Sequence, residues 1–216
     1  MNGRDRTIVV KGTGTVSQAP DVFGIRFDVQ GHEMEYADSL VSLNTRVEEL
    51  RQAIETAGLS RDSLKTTSFD ISRDTVYNRK TEKHDFNGYI ATHNLKIEFP
   101  RNMDKSNKLL GAIVEKVSSA DFSIYFTVSD PKALKDRLVQ EAVQNARKKA
   151  GLMVDAAGVK LGKILNINYS WSEVHFHREM VSELRCSAMV DFAAQPDFEP
   201  EDIEKSDNVE VVWEII

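Results

Sequence analysis

The chain has 216 residues, of which 41% are hydrophobic and 29% charged, and its net charge is −6. That acidic balance disfavours the basic surface that nucleic-acid binding needs, and no apolar run approaches the roughly 20 residues that span a bilayer. The basic cluster NARKKAG, residues 145–151, is interpreted as the solvated face of a helix. The sequence therefore predicts neither a nucleic-acid partner nor a membrane span.

Cysteine content and the first residues bear on the compartment. The single cysteine, Cys186, excludes an intramolecular disulfide and suits a reducing compartment. Residues 1–10, MNGRDRTIVV, contain no apolar stretch of signal-peptide length. As given, the chain is therefore expected to be cytoplasmic, or periplasmic or exported if a signal segment has been removed.

The first predicted elements are two strands and a helix. Residues 6–17, RTIVVKGTGTVS, read as a strand, and residues 22–31 alternate apolar and polar side chains with a period of two. The turn signal Pro20-Asp21 between them predicts an N-terminal β-hairpin. From Tyr36 to Ala57 the apolar positions step by three and four, which predicts an amphipathic helix that ends at Gly58.

Two strands follow, SLKTTSFDISRDTV and GYIATHNLKIEF, and the polar stretch YNRKTEKHDFN between them predicts a hairpin with a charged tip. A helix from about Met103 to Val117 and a strand DFSIYFTVSD come next. Asp130-Pro131 is a strong helix start, and that helix is expected to run to about Ala157 and stop at Gly158. The strand GKILNINYSW, an irregular region over 172–207 and the strand NVEVVWEII complete the chain.

The element order is therefore ββ-α-ββ-α-β-α-β-β. Hairpins require antiparallel neighbours, so this order predicts an α+β fold in which helices cover mostly antiparallel sheet. We expect one domain over residues 1–216, with the hairpin around residues 64–100 as an alternative sub-domain or protrusion.

Several segments resemble the SIMPL-domain family, which includes YggE-type proteins and periplasmic immunogenic proteins of some bacteria. They are TIVVKGTGTVSQAPDVFGIRFDV, GYIATHNLKIEF, SIYFTVSD, EAVQNARKKAGLMVDAAGVKLGKILNI and NVEVVWEI, in that order along nearly the whole chain. The resemblance implies an α+β domain without a settled catalytic activity. It also implies a role in bacterial stress resistance and assembly into ring-like or channel-like homo-oligomers.

Gly12 and Gly14 raise the question of a phosphate-binding loop. A dinucleotide loop needs a third glycine at position 17, which is Ser17, and a P-loop needs Gly-Lys-Ser/Thr at the start of a helix. The glycines are therefore interpreted as sites of close backbone approach in a strand. Alanines repeat every four residues in the last long helix and form a smooth ridge, and we expect the glycines to face that ridge. Its residues are Ala142, Ala146 and Ala150.

Histidine and cysteine are the remaining candidates for chemistry. His175 and His177 would project from the same side of an extended segment and could share a metal, although exposed edge histidines are the favoured interpretation. His93 is interpreted as a packing or interface histidine, and Cys186 follows Arg185, which could lower the pKa of its thiol. No G-x-S-x-G motif occurs. The sequence predicts no cofactor.

Three functions follow from these patterns. The first is a non-enzymatic SIMPL-like protein that forms a homo-oligomer, with the helix over residues 36–57 and the C-terminal strand as interfaces if they are not core. The second is a small metal- or thiol-dependent enzyme or sensor that uses His175, His177 and Cys186. The third is a monomeric binding module that uses the hairpin tip, residues 78–86.

Overall fold

The computed structural model describes residues 6–117, 121–169, 176–179 and 199–216. Its elements are β1 (Thr7–Gln18), β2 (Val22–Glu33), α1 (Tyr36–Thr56), β3 (Lys65–Asn78), β4 (Lys83–Pro100), α2 (Met103–Lys116), β5 (Asp121–Thr127), α3 (Pro131–Ala157), β6 (Leu161–Asn168), β7 (His177–Glu179) and β8 (Ile203–Ile215). The pairs β1–β8, β2–β4, β2–β5, β3–β4 and β6–β8 are antiparallel. The predicted α+β class is confirmed, and β7 is a short addition to the predicted order.

The strands form two sheets. One has the order β1-β8-β6 and the other the order β3-β4-β2-β5-β7. The chain divides into two compact units, which we call the three-stranded unit (the described parts of residues 1–20, 128–177 and 201–216) and the five-stranded unit (those of 21–127 and 178–200). Residues 64–100 are thus part of the five-stranded unit rather than a unit of their own.

The five-stranded unit has a core of large side chains. Alternate residues of β2 point to the face that α1 and α2 cover, and Phe23, Ile25 and Phe27 are buried there. The apolar seam of α1 packs on the same core, which leaves it inside the unit rather than at an interface; its buried members include Leu43, Val47, Leu50 and Ile54. The bulk of this core comes from aromatic and branched side chains.

The three-stranded unit is one sheet packed on one helix. The side chain of Asp130 accepts a hydrogen bond from the backbone N–H of Ala133 at 2.9 Å, and Pro131 is the first residue of α3. Gly158 ends the helix in the left-handed conformation, with φ 71°, which glycine adopts without steric cost. The predicted start and stop of this helix are both confirmed. The residues buried on α3 are spaced by four: Leu134, Leu138, Ala142, Ala146, Ala150 and Val154.

The predicted N-terminal hairpin is wrong. β1 pairs with β8, whereas β2 pairs with β4 and β5, so the first two strands belong to different sheets. Pro20-Asp21 is where the chain leaves one sheet for the other. The backbone of Asp21 donates to the carbonyl of Thr127 at 3.1 Å and accepts from the N–H of Arg101 at 2.8 Å. These bonds join Asp21 to the five-stranded unit instead of returning the chain along β1.

The C-terminal strand is longer than predicted and lies inside its sheet. β8 begins at Ile203, although the irregular region was expected to continue to Asp207. It is the central strand of its sheet, and its side chains Val209, Val211 and Trp213 are buried. Of the two alternatives left open for this strand, core or interface, the structure shows the core, because β1 and β6 both pair with it.

Candidate functional site

Gly12 and Gly14 lie directly against the backbone of α3. A Cβ added to Gly12 would stand 2.0 Å from the carbonyl oxygen of Ala142, and one added to Gly14 would stand 2.1 Å from that of Leu138. Only glycine permits so close an approach. The glycines face the middle of the helix, whereas a phosphate-binding loop faces a helix N-terminus. This arrangement is a packing contact and offers no space to a phosphate.

The free side of β1 is closed by the same helix. The backbone N–H of Thr13 donates to Oδ1 of Asn145 at 3.1 Å, and Nζ of Lys149 donates to the carbonyl of Lys11 at 3.2 Å. Side chains of α3 thus take the place of a neighbouring strand along β1. Lys149 belongs to the basic cluster interpreted as a solvated helix face; its side chain is exposed, and its amine also binds the backbone of β1.

A buried carboxylate lies on the helix-facing side of this sheet. Asp207 is 7% exposed, and Oδ2 accepts from the hydroxyl of Tyr169 at 2.6 Å while Oδ1 accepts from the N–H of Asn208 at 2.7 Å. This hydrogen bond, together with burial and the charge of Asp207, raises the pKa of Tyr169 to about 12. The pair therefore holds its proton at neutral pH and acts as a structural link.

The edge of the three-stranded sheet opposite β1 is open. β6 is its other outer strand, and no described residue pairs with the far side of β6. Three apolar side chains there are about half exposed: Ile164, Leu165 and Ile167. Two register shifts interrupt the pairing of β6 with β8. β6 is thus an apolar but irregular edge.

The five-stranded sheet also ends in an exposed strand. β3 spans 14 residues and is the outermost strand of its sheet, next to β4. Most of its side chains are exposed, and Phe69 is 50% exposed. A long strand with a free row of N–H and C=O groups is a template for pairing with another chain.

An aromatic stripe follows one face of the β3–β4 hairpin. The ring centroids of Phe86 and Tyr89 are 5.3 Å apart, and the guanidinium of Arg73 lies 5.1 Å from the Phe86 centroid. Nearer the tip, the Tyr77 and His84 rings are 5.3 Å apart. Charge is the only property that the sequence pattern indicates for this segment. Residues 83–86 belong to β4, so the turn itself is limited to residues 79–82.

His93 has a packing role on the same hairpin. Its Nε2 forms a 2.8 Å hydrogen bond with Oγ1 of Thr66, and its ring meets the edge of Phe69 with centroids 5.4 Å apart. Burial, followed by the charge of Arg51, lowers the pKa of His93. A neutral imidazole at physiological pH suits this packed position.

A polar cluster stabilises the irregular part of the hairpin. Pairing shifts between Asp74 and Thr75, where Asn87 is the extra residue of β4. Nε2 of His32 donates to the carbonyl of Asn87 at 2.7 Å and lies 3.4 Å from Oδ2 of Asp74, which also accepts from the Asn87 amide. The cluster ties β2 to the bulge. No sequence motif indicated it, since its members are far apart in the chain.

A second cluster lies on the face of the five-stranded sheet away from α1. The hydroxyl of Tyr125 donates to Oε1 of Glu98 at 2.6 Å, and Arg26 lies 4.5 Å from the centroid of the ring. Gly24 makes room for that ring, because an added Cβ would stand 2.3 Å from it. Burial, together with the hydrogen bond and charge of Glu98, raises the pKa of Tyr125 far above its usual range. Burial alone would raise the pKa of Glu98, but bonds from Tyr125 and Lys96 outweigh it and lower the pKa.

The side chains predicted to form a metal or thiol site lie outside the part of the chain that the structure describes. His175 and Cys186 lie outside the described residues, and of His177 only the backbone is described, in β7. In the described ranges, no three His, Cys, Asp or Glu side chains are grouped as metal ligands. Nor is any described helix long and apolar enough to cross a membrane.

The fold and these clusters define an α+β protein with two antiparallel sheets, whose polar clusters are built into the fold. Its sequence matches the family model "SIMPL: Protein of unknown function (DUF541)" over residues 8–213, from β1 to β8. The chain therefore belongs to the SIMPL family, and the resemblance found in its sequence is confirmed. The match includes both units.

Relatives of the chain cover most of its length. "Uncharacterized protein YggE" of Edwardsiella ictaluri is 23% identical over 96% of this chain and 86% of that protein, and its counterpart in Escherichia coli (strain K12) is 24% identical over 96% and 82%. The "26 kDa periplasmic immunogenic protein" of Brucella abortus is 24% identical over 78% and 68%. A crystal structure of an uncharacterized conserved protein from Listeria innocua covers 95% of this chain at 13% identity, with a TM-score of 0.20, which supports no statement about the fold.

Proposed function

We propose that this SIMPL protein is a non-enzymatic component of a homo-oligomer in bacterial stress physiology, with open sheet edges as its contact surfaces. The observation that carries the proposal is the pair of outer strands β3 and β6, which expose apolar side chains and have no described neighbour on one side. Unpaired edges of this kind favour association between chains. The link to stress physiology comes from the family resemblance.

The hydrogen bonds that cover the free side of β1 support the choice of β3 and β6 as contact surfaces. Asn145 and Lys149 bind the free side of β1, which protects that edge against pairing. β3 and β6 have no such hydrogen bonds from the described residues other than those of their own sheets. Self-association is therefore expected at β3 or β6 and not at β1.

The polar clusters support a non-enzymatic role. Each of the tyrosines Tyr125 and Tyr169 donates to a carboxylate and has a pKa raised well above neutral pH. A general acid or base works best with a pKa near the operating pH. These residues instead suit fixed links between strands.

We further propose a periplasmic location. A relative that covers most of the chain bears the name "26 kDa periplasmic immunogenic protein". Cell fractionation with periplasmic and cytoplasmic marker enzymes tests this proposal, and recovery in the cytoplasmic fraction alone would contradict it.

Absolute molar mass by light scattering tests the oligomer. We expect a discrete multiple of 24.4 kDa that persists over a dilution series, because edge pairing adds both backbone hydrogen bonds and apolar contacts. A particle of one chain at every concentration would overturn the proposal. Lys11→Glu on the closed edge of β1 is a matched control that should leave the oligomer mass unchanged.

The aromatic stripe favours a second candidate, a binding module at the hairpin tip. Tyr77 and Phe86 are about half exposed next to the turn. Replacement of residues 79–82 by Asn-Gly would preserve β3 and β4 and test this candidate, because ligand capture should be lost while the core stays folded.

The metal or thiol function at His175, His177 and Cys186 stays a prediction, which metal analysis of a His175→Ala, His177→Ala double variant would test.

A further inference from the structure

We propose that two copies of this chain pair antiparallel along β3, about a twofold axis at Ile71, so that two five-stranded sheets become one continuous sheet. This inference rests on the proposed self-association and names the surface and the register. The partner is a second copy of the same chain.

The regular part of β3 fixes the centre of the pairing. Register shifts occur between Thr66 and Ser68 and again between Asp74 and Thr75. The extra residue is Thr67 of β3 at the first shift and Asn87 of β4 at the second, and a bulge increases the local twist of the strand pair. The segment of β3 that pairs with β4 without a shift is therefore Ser68–Asp74, seven residues whose midpoint is Ile71. A twofold axis through this midpoint aligns the whole regular segment of one copy with that of the other.

The faces of the strand then match. In a twofold antiparallel pair, directly opposite residues lie on the same face of the sheet. With the axis at Ile71, that residue meets Ile71 of the second copy, and Phe69 lies opposite Arg73 of the second copy. Ile71 is partly buried against the core of its own unit, and Phe69 is half exposed. The pairing would cover both and place a cation beside an aromatic ring.

Charge disfavours three alternative registers, those with the axis at Asp70, Ser72 or Arg73. An axis at Asp70 would set two Asp70 carboxylates opposite each other, and an axis at Ser72 would set Asp70 opposite Asp74. An axis at Arg73 would set two guanidinium groups opposite each other. Like charges directly opposite destabilise a strand pair. With the axis at Ile71, Asp70 faces Ser72 and Asp74 faces Ser68, so no like charges are directly opposite.

β3 is also better suited than β6 to pair with a second copy of the chain. Its regular segment has seven residues between two register shifts, whereas β6 has two shifts within eight residues. Regular backbone geometry is what a ladder of hydrogen bonds requires. The longer regular edge is therefore the one that takes a second copy.

Disulfide trapping tests the register. In a Cys186→Ser background, Ile71→Cys should give disulfide-linked dimers under mild oxidation, because opposite Cβ atoms in such a pair are about 5 Å apart. Val76→Cys is the matched control: it is exposed on the same strand, but the two copies of this residue would be roughly 30 Å apart at about 3.3 Å per residue. Equal trapping at both positions would overturn the register.

A charge exchange gives a second, independent test. Ile71→Lys and Ile71→Glu should each weaken self-association by about tenfold or more, since both place like charges opposite each other. An equimolar mixture should restore it as a mixed dimer, which a fold defect in either variant would not produce. Failure of the mixture to associate, with both variants folded by circular dichroism, would overturn the pairing.

Light scattering of the unmodified chain distinguishes failure of the proposed self-association from failure of the β3 pairing. If the unmodified chain is a multimer but the Ile71→Cys variant forms no disulfide-linked dimer, the β3 pairing is rejected while self-association stands, and the contact is assigned to β6. A monomer at all concentrations would reject both.

Discussion

The two units of this protein pack their helices on their sheets in different ways. In the five-stranded unit, Phe23 packs on Phe99 and Phe126 with ring centroids 5.2 and 5.5 Å away. In the three-stranded unit, Gly12 and Gly14 lie against the backbone of α3, beside the alanines Ala142 and Ala146. The first core is filled mainly by large side chains. The second also contains Val209, Val211 and Trp213, but its contact between β1 and α3 is made by small residues. The first is therefore sensitive to lost volume and the second to added volume.

Loss of a ring from the five-stranded unit should have the largest effect. We expect Phe23→Ala to lower the free energy of unfolding by about 4 kcal/mol, because it leaves a cavity at a fully buried site. Chemical denaturation measures the loss. Val9→Ala, at a position 54% exposed in β1, is the control and should cost far less. A loss below about 1 kcal/mol for Phe23→Ala would show that this core does not depend on its rings.

Added volume should break the three-stranded unit instead. Gly12→Val should lower the free energy of unfolding by about 3 kcal/mol, because its Cβ would overlap the backbone of Ala142. Hydrogen exchange should accelerate in β1 and α3. The control Thr13→Val, on the opposite face of the same strand, adds no volume and removes only the hydrogen bond from the Thr13 hydroxyl to Asn208. A stable Gly12→Val variant with unchanged exchange would contradict the close packing.

Removal of the Asn145 side chain, which binds the edge of β1, should give a smaller effect in the same unit. Asn145→Ala takes away the acceptor of the Thr13 N–H, so we expect a loss of about 1 kcal/mol. It should also open the edge of β1 to pairing, which light scattering would detect as a larger particle. Asn166→Ala on β6 is a matched amide deletion, and an equal loss there would argue against a specific role for Asn145.

The smallest expected effect is a loss of folding stability at alkaline pH, to which Tyr169 and Tyr125 contribute in different units. The raised pKa of Tyr169 means that the unfolded chain ionises first, so this stabilisation is present below pH 10 and is lost as the pH rises towards 12. Tyr169→Phe should reduce that alkaline loss, and Tyr125→Phe should reduce it separately through the five-stranded unit. Unfolding midpoints between about pH 9 and 12 provide the measurement. Identical profiles for both variants and the parent chain would contradict these two contributions.

Local signals in the sequence predicted the local structure well. Asp130, Pro131 and Gly158 marked both ends of α3, and Gly58 follows α1 in the left-handed conformation. These residues act on backbone atoms only a few positions away, so the neighbouring sequence is enough to locate the ends of these helices. The β3–β4 hairpin was found for the same reason.

Pairing between distant strands could not be predicted in this way. Thr7 is opposite Glu214 in the β1–β8 pair, and nothing near either residue specifies the other. Pro20-Asp21 is a correct signal for a change of direction, but the next partner of the chain is β4 rather than β1. The polar clusters share this difficulty, because His32, Asp74 and Asn87 meet only once the sheet has formed.

The position of β8 between β1 and β6 has a consequence for biosynthesis. Residues 21–127 of the five-stranded unit are contiguous in the chain and precede β8, so they are complete on the ribosome while the three-stranded sheet still lacks its central strand. Domains generally fold as units during synthesis. β1 is synthesised before β8, so its partner strand is missing until residues 203–215 have been made, and in that interval its edge is open to pairing with other chains.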